Sequence, residues 1–121
     1  MDNILKYSII LSIYVCYYLR LPNIQLREDL SQILKSILNE EQFESFPFEE
    51  SKDIARRIET GKGIALNTAF LDNLYGLFVC VSTQIPLIIC GKPGCSKSLT
   101  TQILISAMNG NNSDDYLFKW L

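Results

Sequence analysis

The stretch Pro86-Leu-Ile-Ile-Cys-Gly-Lys-Pro-Gly-Cys-Ser-Lys-Ser-Leu99 decides how the chain is read, because an apolar run passes there into a glycine-containing turn ending in Lys-Ser. Gly91 opens the turn and Lys97-Ser98 closes it, which is the spacing Gly, four residues, Gly-Lys-Ser/Thr of a phosphate-binding P-loop. Ser96 stands where the second glycine belongs. Phosphate oxygens need several convergent backbone N–H donors, and a helix N-terminus adds unpaired amides and the positive end of a dipole. Lys97 is the candidate point charge on the β/γ-phosphates. The Ser98 hydroxyl is the candidate ligand to the Mg²⁺ that bridges them. The candidate nucleotide-binding set is Gly91, Lys92, Pro93, Gly94, Cys95, Ser96, Lys97, Ser98 and Leu99.

The flanks decide whether so short a pattern carries weight, since the motif requires a strand before it and a helix after it. Pro86 to Cys90 is continuously apolar, as in a parallel strand buried on both faces, with proline at the strand start. Leu99, Ile103, Leu104 and Met108 follow at helical spacing, and Gly110 is placed to end that helix. The alternative reading is an ordinary turn with a surface lysine. Ser96 is expected to strain the loop if its position demands φ > 0. Cys95 has two readings: a passive small residue, or a thiol made acidic by Lys97 and the helix N-terminus.

Upstream, Asn67 reads as the N-cap of a helix whose Phe70, Leu71, Leu74, Leu77, Phe78 and Val81 share one face. Before it, a short helix from about Glu49 to Thr60 carries Ile54 and Ile58 inward and stops at Gly61. The segment Asn39 to Phe48 mixes acids with Phe43, Phe46 and Phe48 and is expected to turn at Pro47. From Glu28 to Glu41, Leu30, Ile33, Leu34, Ile37 and Leu38 mark an amphipathic helix. Ile4 to Leu19 is apolar nearly all round, which predicts a helix covered on most sides, although β-branched residues leave a strand open. Leu21-Pro22-Asn23 ends that element.

Composition narrows the function class. The 121 residues, 48% hydrophobic with net charge −2, fit an ordinary globular domain with no basic field for DNA or RNA, so nucleic acid is not expected as a partner. The uncharged run Tyr7 to Leu19 is shorter than the ~20 residues a spanning helix needs. A buried helix is expected there, with a membrane anchor as the alternative. The chain has no histidine, and Cys16, Cys80, Cys90 and Cys95 lack paired zinc-ligand spacing, so reduced, mostly buried thiols of a cytoplasmic protein are expected.

Gly-Ile-Ala-Leu-Asn (63 to 67), Leu-Phe-Val-Cys-Val (77 to 81) and the run from Ile85 to Leu99 together resemble the mysterin family, giant ubiquitin ligases with dynein-like AAA+ modules. Their loop form also has serine before the lysine. Cys-Tyr-Tyr-Leu-Arg-Leu (16 to 21) and Met-Asn-Gly (108 to 110) resemble segments flanking that module. The resemblance implies an α/β fold: a helical lead-in over 1–62, then in 63–121 the first strand, P-loop and first helix of an incomplete AAA+ sheet. It implies ATP and Mg²⁺ as cofactors, Ile64 and Ala65 against the adenine, and the rest of a larger AAA+ chain or neighbouring modules as partners. From the residues alone, Ile64 and Ala65 read equally as packing beneath the following helix.

Twenty-three residues follow Ser98, too few for an acidic Walker B strand, sensors or an arginine finger, and no RING ligands are present. The expectation is therefore ATP binding without a catalytic residue for hydrolysis or ubiquitin transfer in this chain. The alternative is a non-enzymatic remnant, or a helical interaction fragment, that cannot complete its sheet.

Overall fold

The computed structural model describes residues 3–38, 46–58, 63–108 and 115–120. The elements are helices α1 (Asn3–Cys16), α2 (Ile24–Leu38), α3 (Phe46–Arg57), α4 (Thr68–Ser82) and α5 (Lys97–Ala107), with short 3-10 helices at Tyr18–Arg20 and Tyr116–Trp120. The chain divides into two compact units, Met1–Glu49 and Glu50–Leu121, the division falling within α3.

The expected α/β architecture does not form. Among the described residues there is no strand, and the regular elements are helical. Residues 86–90 are extended, but a strand is made by hydrogen bonds to a neighbour, and none is available here. The side chains expected in a sheet core are consequently in solvent, with Ile88 87% exposed and Leu87 42%. Cys90 is exposed with them, as are Cys16 and Cys95, so of the four free thiols only Cys80 is buried.

In the first unit, Ile10 of α1 and Leu34 of α2 are buried, with Ile13 and Leu30 packed against them. Tyr14 is buried as well, but the predicted cover on most sides of α1 is incomplete: Ile4, Leu5, Tyr7 and Ile9 are all exposed. Ser8 and Ser12 donate their hydroxyls to the carbonyls of Ile4 and Ser8, which satisfies these polar groups within the helix. Pro22 pushes Leu21 into extended backbone (φ −72°, ψ 122°). The Arg27 guanidinium lies 5.1 Å from the centre of the Tyr18 ring and donates to the Leu21 carbonyl at 3.1 Å, fastening the turn. Helix α2 starts at Ile24, earlier than predicted, because Asn23 Oδ1 accepts the Gln25 N–H at 2.7 Å as an N-cap. No helix among the described residues is long and apolar enough to cross a membrane.

In the second unit, α3 buries Ser51, Ile54, Ala55 and Ile58, a stripe at i, i+3, i+4 and i+7. It begins at Phe46, so Pro47 lies in its first turn, where a missing N–H costs nothing. The predicted stops at Gly61 and Gly110 lie outside the described residues. Asn67 caps α4 as predicted, its Oδ1 accepting the Phe70 N–H at 2.8 Å, an arrangement worth about 1 kcal/mol. Phe70, Leu71, Leu74, Tyr75 and Cys80 are buried along α4, which packs on α5 through Thr100 and Leu104. Gln84, with φ 58°, ends α4: its N–H reaches the Val81 carbonyl at 3.1 Å, and the Ile85 N–H reaches Cys80 at 2.8 Å. That is a Schellman motif with glutamine in the usual glycine position. Asp115 accepts the Leu117 N–H at 2.8 Å and pairs with Arg57 of α3 at 3.2 Å. Phe118 is thereby seated in the core, edge-on to Phe78 with ring centres 5.8 Å apart.

Burial pushes the Tyr75 hydroxyl up to about 12, with the nearby Glu50 charge adding to the effect. The unfolded chain loses this proton near pH 10. Between about pH 10 and 12 the folded state still holds a proton that the unfolded state has released, so stability is full below that window and declines through it. The urea midpoint should fall on going from neutral pH to about pH 11.5, and Tyr75→Phe should make that fall shallower.

Candidate functional site

The turn from Gly91 to Ser96 is built by residue chemistry that leaves little choice of path. Lys92-Pro93-Gly94-Cys95 has the make-up of a type II turn, with proline second and glycine third at φ 84°. The Cys95 N–H closes it weakly on the Lys92 carbonyl at 3.4 Å. Ser96 follows as the N-cap of α5 in the left-handed region, φ 57° and ψ 15°. The position that ordinarily carries the second glycine therefore does require positive φ, and serine adopts it at a cost of the order of 1 kcal/mol.

Thr100 holds that strained residue in place. It is fully buried, its N–H donates to the Ser96 carbonyl at 2.9 Å, and its hydroxyl also bonds that carbonyl. Its hydroxyl lies 3.1 Å from the Lys97 carbonyl as well, and Thr101 Oγ1 bonds the same oxygen at 3.0 Å. From α4, Asn73 Nδ2 donates to the Cys95 carbonyl at 2.9 Å. The Lys97 ammonium curls back over the turn and donates to the carbonyls of Gly91 at 2.7 Å and Lys92 at 2.6 Å. A Cβ added at Gly91 would meet the Lys97 side chain at 3.6–3.7 Å and the Cys95 Cβ at 3.8 Å, ordinary contacts, so the lysine lies close over the glycine.

The N–H groups of Ser96, Lys97, Ser98 and Leu99 meet no backbone acceptor among the described residues, Thr100 being the first to bond within α5. These are the orphan donors of a helix start. Ser98 and Leu99 are exposed there, beside the half-buried Ser96 and Lys97, while Lys92, Pro93, Gly94 and Cys95 are exposed along the turn. Ile64 is half-buried and Ala65 exposed just ahead of α4, where the Asn67 N–H closes on the Ala65 carbonyl at 2.9 Å. No hydrogen bond among the described residues ties Ile64 or Ala65 to the turn. Among the described residues no three of His, Cys, Asp and Glu come together as a metal-binding group.

A family model described as the RNF213 AAA domain matches residues 63–121. The zebrafish (Danio rerio) protein titled E3 ubiquitin-protein ligase rnf213-beta is 35% identical over 117 residues, 93% of this chain. The human E3 ubiquitin-protein ligase RNF213 is 32% identical over 126 residues, 95% of the chain. The chain belongs to the RNF213, or mysterin-like, family. The mouse RNF213 ligase aligns at 41% identity over 58 residues, 48% of the chain. The chain spans only about 2% of the length of the zebrafish and human relatives, so it corresponds to part of a much larger AAA+ protein. No solved structure matches it significantly.

Two residues of this site escape the motif. Asn73 lies twenty-two positions before Cys95, and no local spacing links them. Thr100 lies two residues past the motif, and nothing in the Gly91–Ser98 spacing marks it. The strain at Ser96 makes a direct forecast: Ser96→Gly should raise stability by up to about 0.5 kcal/mol, the relief of about 1 kcal/mol of left-handed strain less glycine's entropy cost of about 0.5–1 kcal/mol. Gly94→Ala, at φ 84°, should lower it by about 1 kcal/mol or more. Urea unfolding of the two variants against the parent chain measures both.

Proposed function

We propose that this chain binds Mg-ATP through residues 91–99, as the N-terminal part of an AAA+ module occupying residues 63–121. The observation that carries the reading is the Lys97 ammonium, drawn over the turn onto two carbonyls beside four amides at the head of α5 that meet no backbone acceptor among the described residues. A cation and converging N–H donors on one short loop suit a polyphosphate, whose oxygens replace the Gly91 and Lys92 carbonyls as the lysine's acceptors. Ser98, exposed in the first turn of α5, is the side chain placed to ligate Mg²⁺. A magnesium ion held by Ser98 would supply charge neutralisation to the phosphates. Ile64 and Ala65 are proposed to approach the adenine from the segment leading into α4.

The wider reading rests on family membership. The proposed partners are the rest of a larger AAA+ chain or neighbouring AAA+ modules, in the cytoplasm. ATP hydrolysis and ubiquitin transfer are proposed for the whole protein, with no catalytic residue for either assigned here. A second reading, a non-enzymatic helical remnant, is favoured by one observation: residues 85–88 expose Ile85, Leu87 and Ile88 without a sheet to cover them.

Thermal unfolding of the purified chain separates the two. Mg-ATP at one hundred times its Kd should stabilise the chain by about 2.7 kcal/mol, and Lys97→Ala should abolish the shift. A chain that aggregates or stays molten with no rescue by ATP, or a Lys97→Ala variant that shifts like the parent, removes the nucleotide reading.

A further inference from the structure

From α4, the side-chain amide of Asn73 reaches the 91–96 turn, donating to the Cys95 carbonyl at 2.9 Å. A carbonyl can only accept, so the NH₂ end of Asn73 must face the Cys95 oxygen. In a trans peptide the C=O and the following N–H point in opposite directions. Drawing the Cys95 carbonyl toward α4 therefore turns the Ser96 N–H away from α4, and that N–H has no backbone acceptor among the described residues. The same peptide plane leads into the left-handed Ser96, whose own carbonyl is fixed from the other side by buried Thr100.

Helix α4 is a firm base for such a grip. Asn73 shares a flank with Gly76 and Cys80 at i+3 and i+7, and both of these are buried. Leu74, beside it in sequence, is fully buried, so the rotational setting of α4 is fixed by its core. The helix is also capped at Asn67, two residues after Ala65.

We propose that Asn73 is the positioning residue of the phosphate loop: by holding the Cys95 carbonyl it presets the 95–96 peptide so that the Ser96 N–H is presented to an incoming phosphate. This rests on the nucleotide reading given above. Asn73 touches no phosphate itself and acts through the loop backbone. Losing one such hydrogen bond should weaken Mg-ATP binding roughly five- to tenfold, the equivalent of the bond's net worth.

The test uses the 121-residue chain and two variants, Asn73→Ala and Asn73→Asp, the second near-identical in shape but without a donor. Both should bind Mg-ATP more weakly than the parent. Amide exchange at Cys95 and Thr100, whose N–H groups bond the Lys92 and Ser96 carbonyls, should quicken in both without nucleotide, while exchange along the buried stretch of α4 stays at parent values. A residue with a merely structural role would quicken the α4 amides as well as those of the loop, and that result overturns the proposal, as does parent-like ATP affinity in both variants. If the parent chain takes no Mg-ATP, the nucleotide reading falls and the exchange measurement alone decides Asn73: loop-confined quickening supports the grip, and unchanged loop exchange overturns it.

Discussion

The ammonium of Lys97 bridges the carbonyls of Gly91 and Lys92 across a turn that has almost no other closure. The Cys95 N–H reaches Lys92 only at 3.4 Å, and the extended residues before the turn supply no ladder. A charged donor shared by two carbonyls is stronger than a neutral bond, and the contact draws the ends of a six-residue arc together. It also fixes where a competing anion must arrive, since anything taking the ammonium from those oxygens has to enter on the same side.

That bridge works because α5 begins where it does. Lys97 is the first residue of the helix, so its backbone is set by α5 while its side chain reaches back over the turn. The start of α5 depends in turn on Thr100, whose buried hydroxyl and N–H both bond the Ser96 carbonyl. Ser96 in the left-handed region is the strain accepted for this geometry. Two left-handed residues in three, Gly94 and Ser96, turn the chain sharply enough to place the first amides of α5 beside the lysine. Here strain and anion affinity come from one backbone path.

How much of this the sequence shows follows from range. Local chemistry was legible: Asn67 as a cap, the Pro22 break, the inward Ile54 and Ile58, the helix after the loop and the spacing of Gly91 to Ser98. Each depends on residues within one turn of a helix. The start of α2 was misplaced because Asn23 caps it behind a proline, and α3 began early because Pro47 serves as a first-turn residue instead of a breaker. Contacts distant in sequence, Asn73 with Cys95 and Arg57 with Asp115, left no pattern to read. The strand was inferred from a composition that many buried strands share. Apolar continuity over 86–90 states what the segment needs from neighbours, and does not supply the neighbours.

The unpaired segment also clarifies what the loop rests on. If the turn were held by a strand, its geometry would be expected to loosen once the strand lost its ladder, yet the turn is closed with the strand unpaired. Its constraints come instead from the other side: Asn73 on α4, Thr100 within α5, and Lys97 across the top. All three hang on the α4–α5 packing, which is buried around Leu74 and Leu104. Burying such side chains fully is worth roughly 1.5–3 kcal/mol each, more than any single polar contact in the loop. The apolar contact of two helices thus sets the polar geometry of the turn.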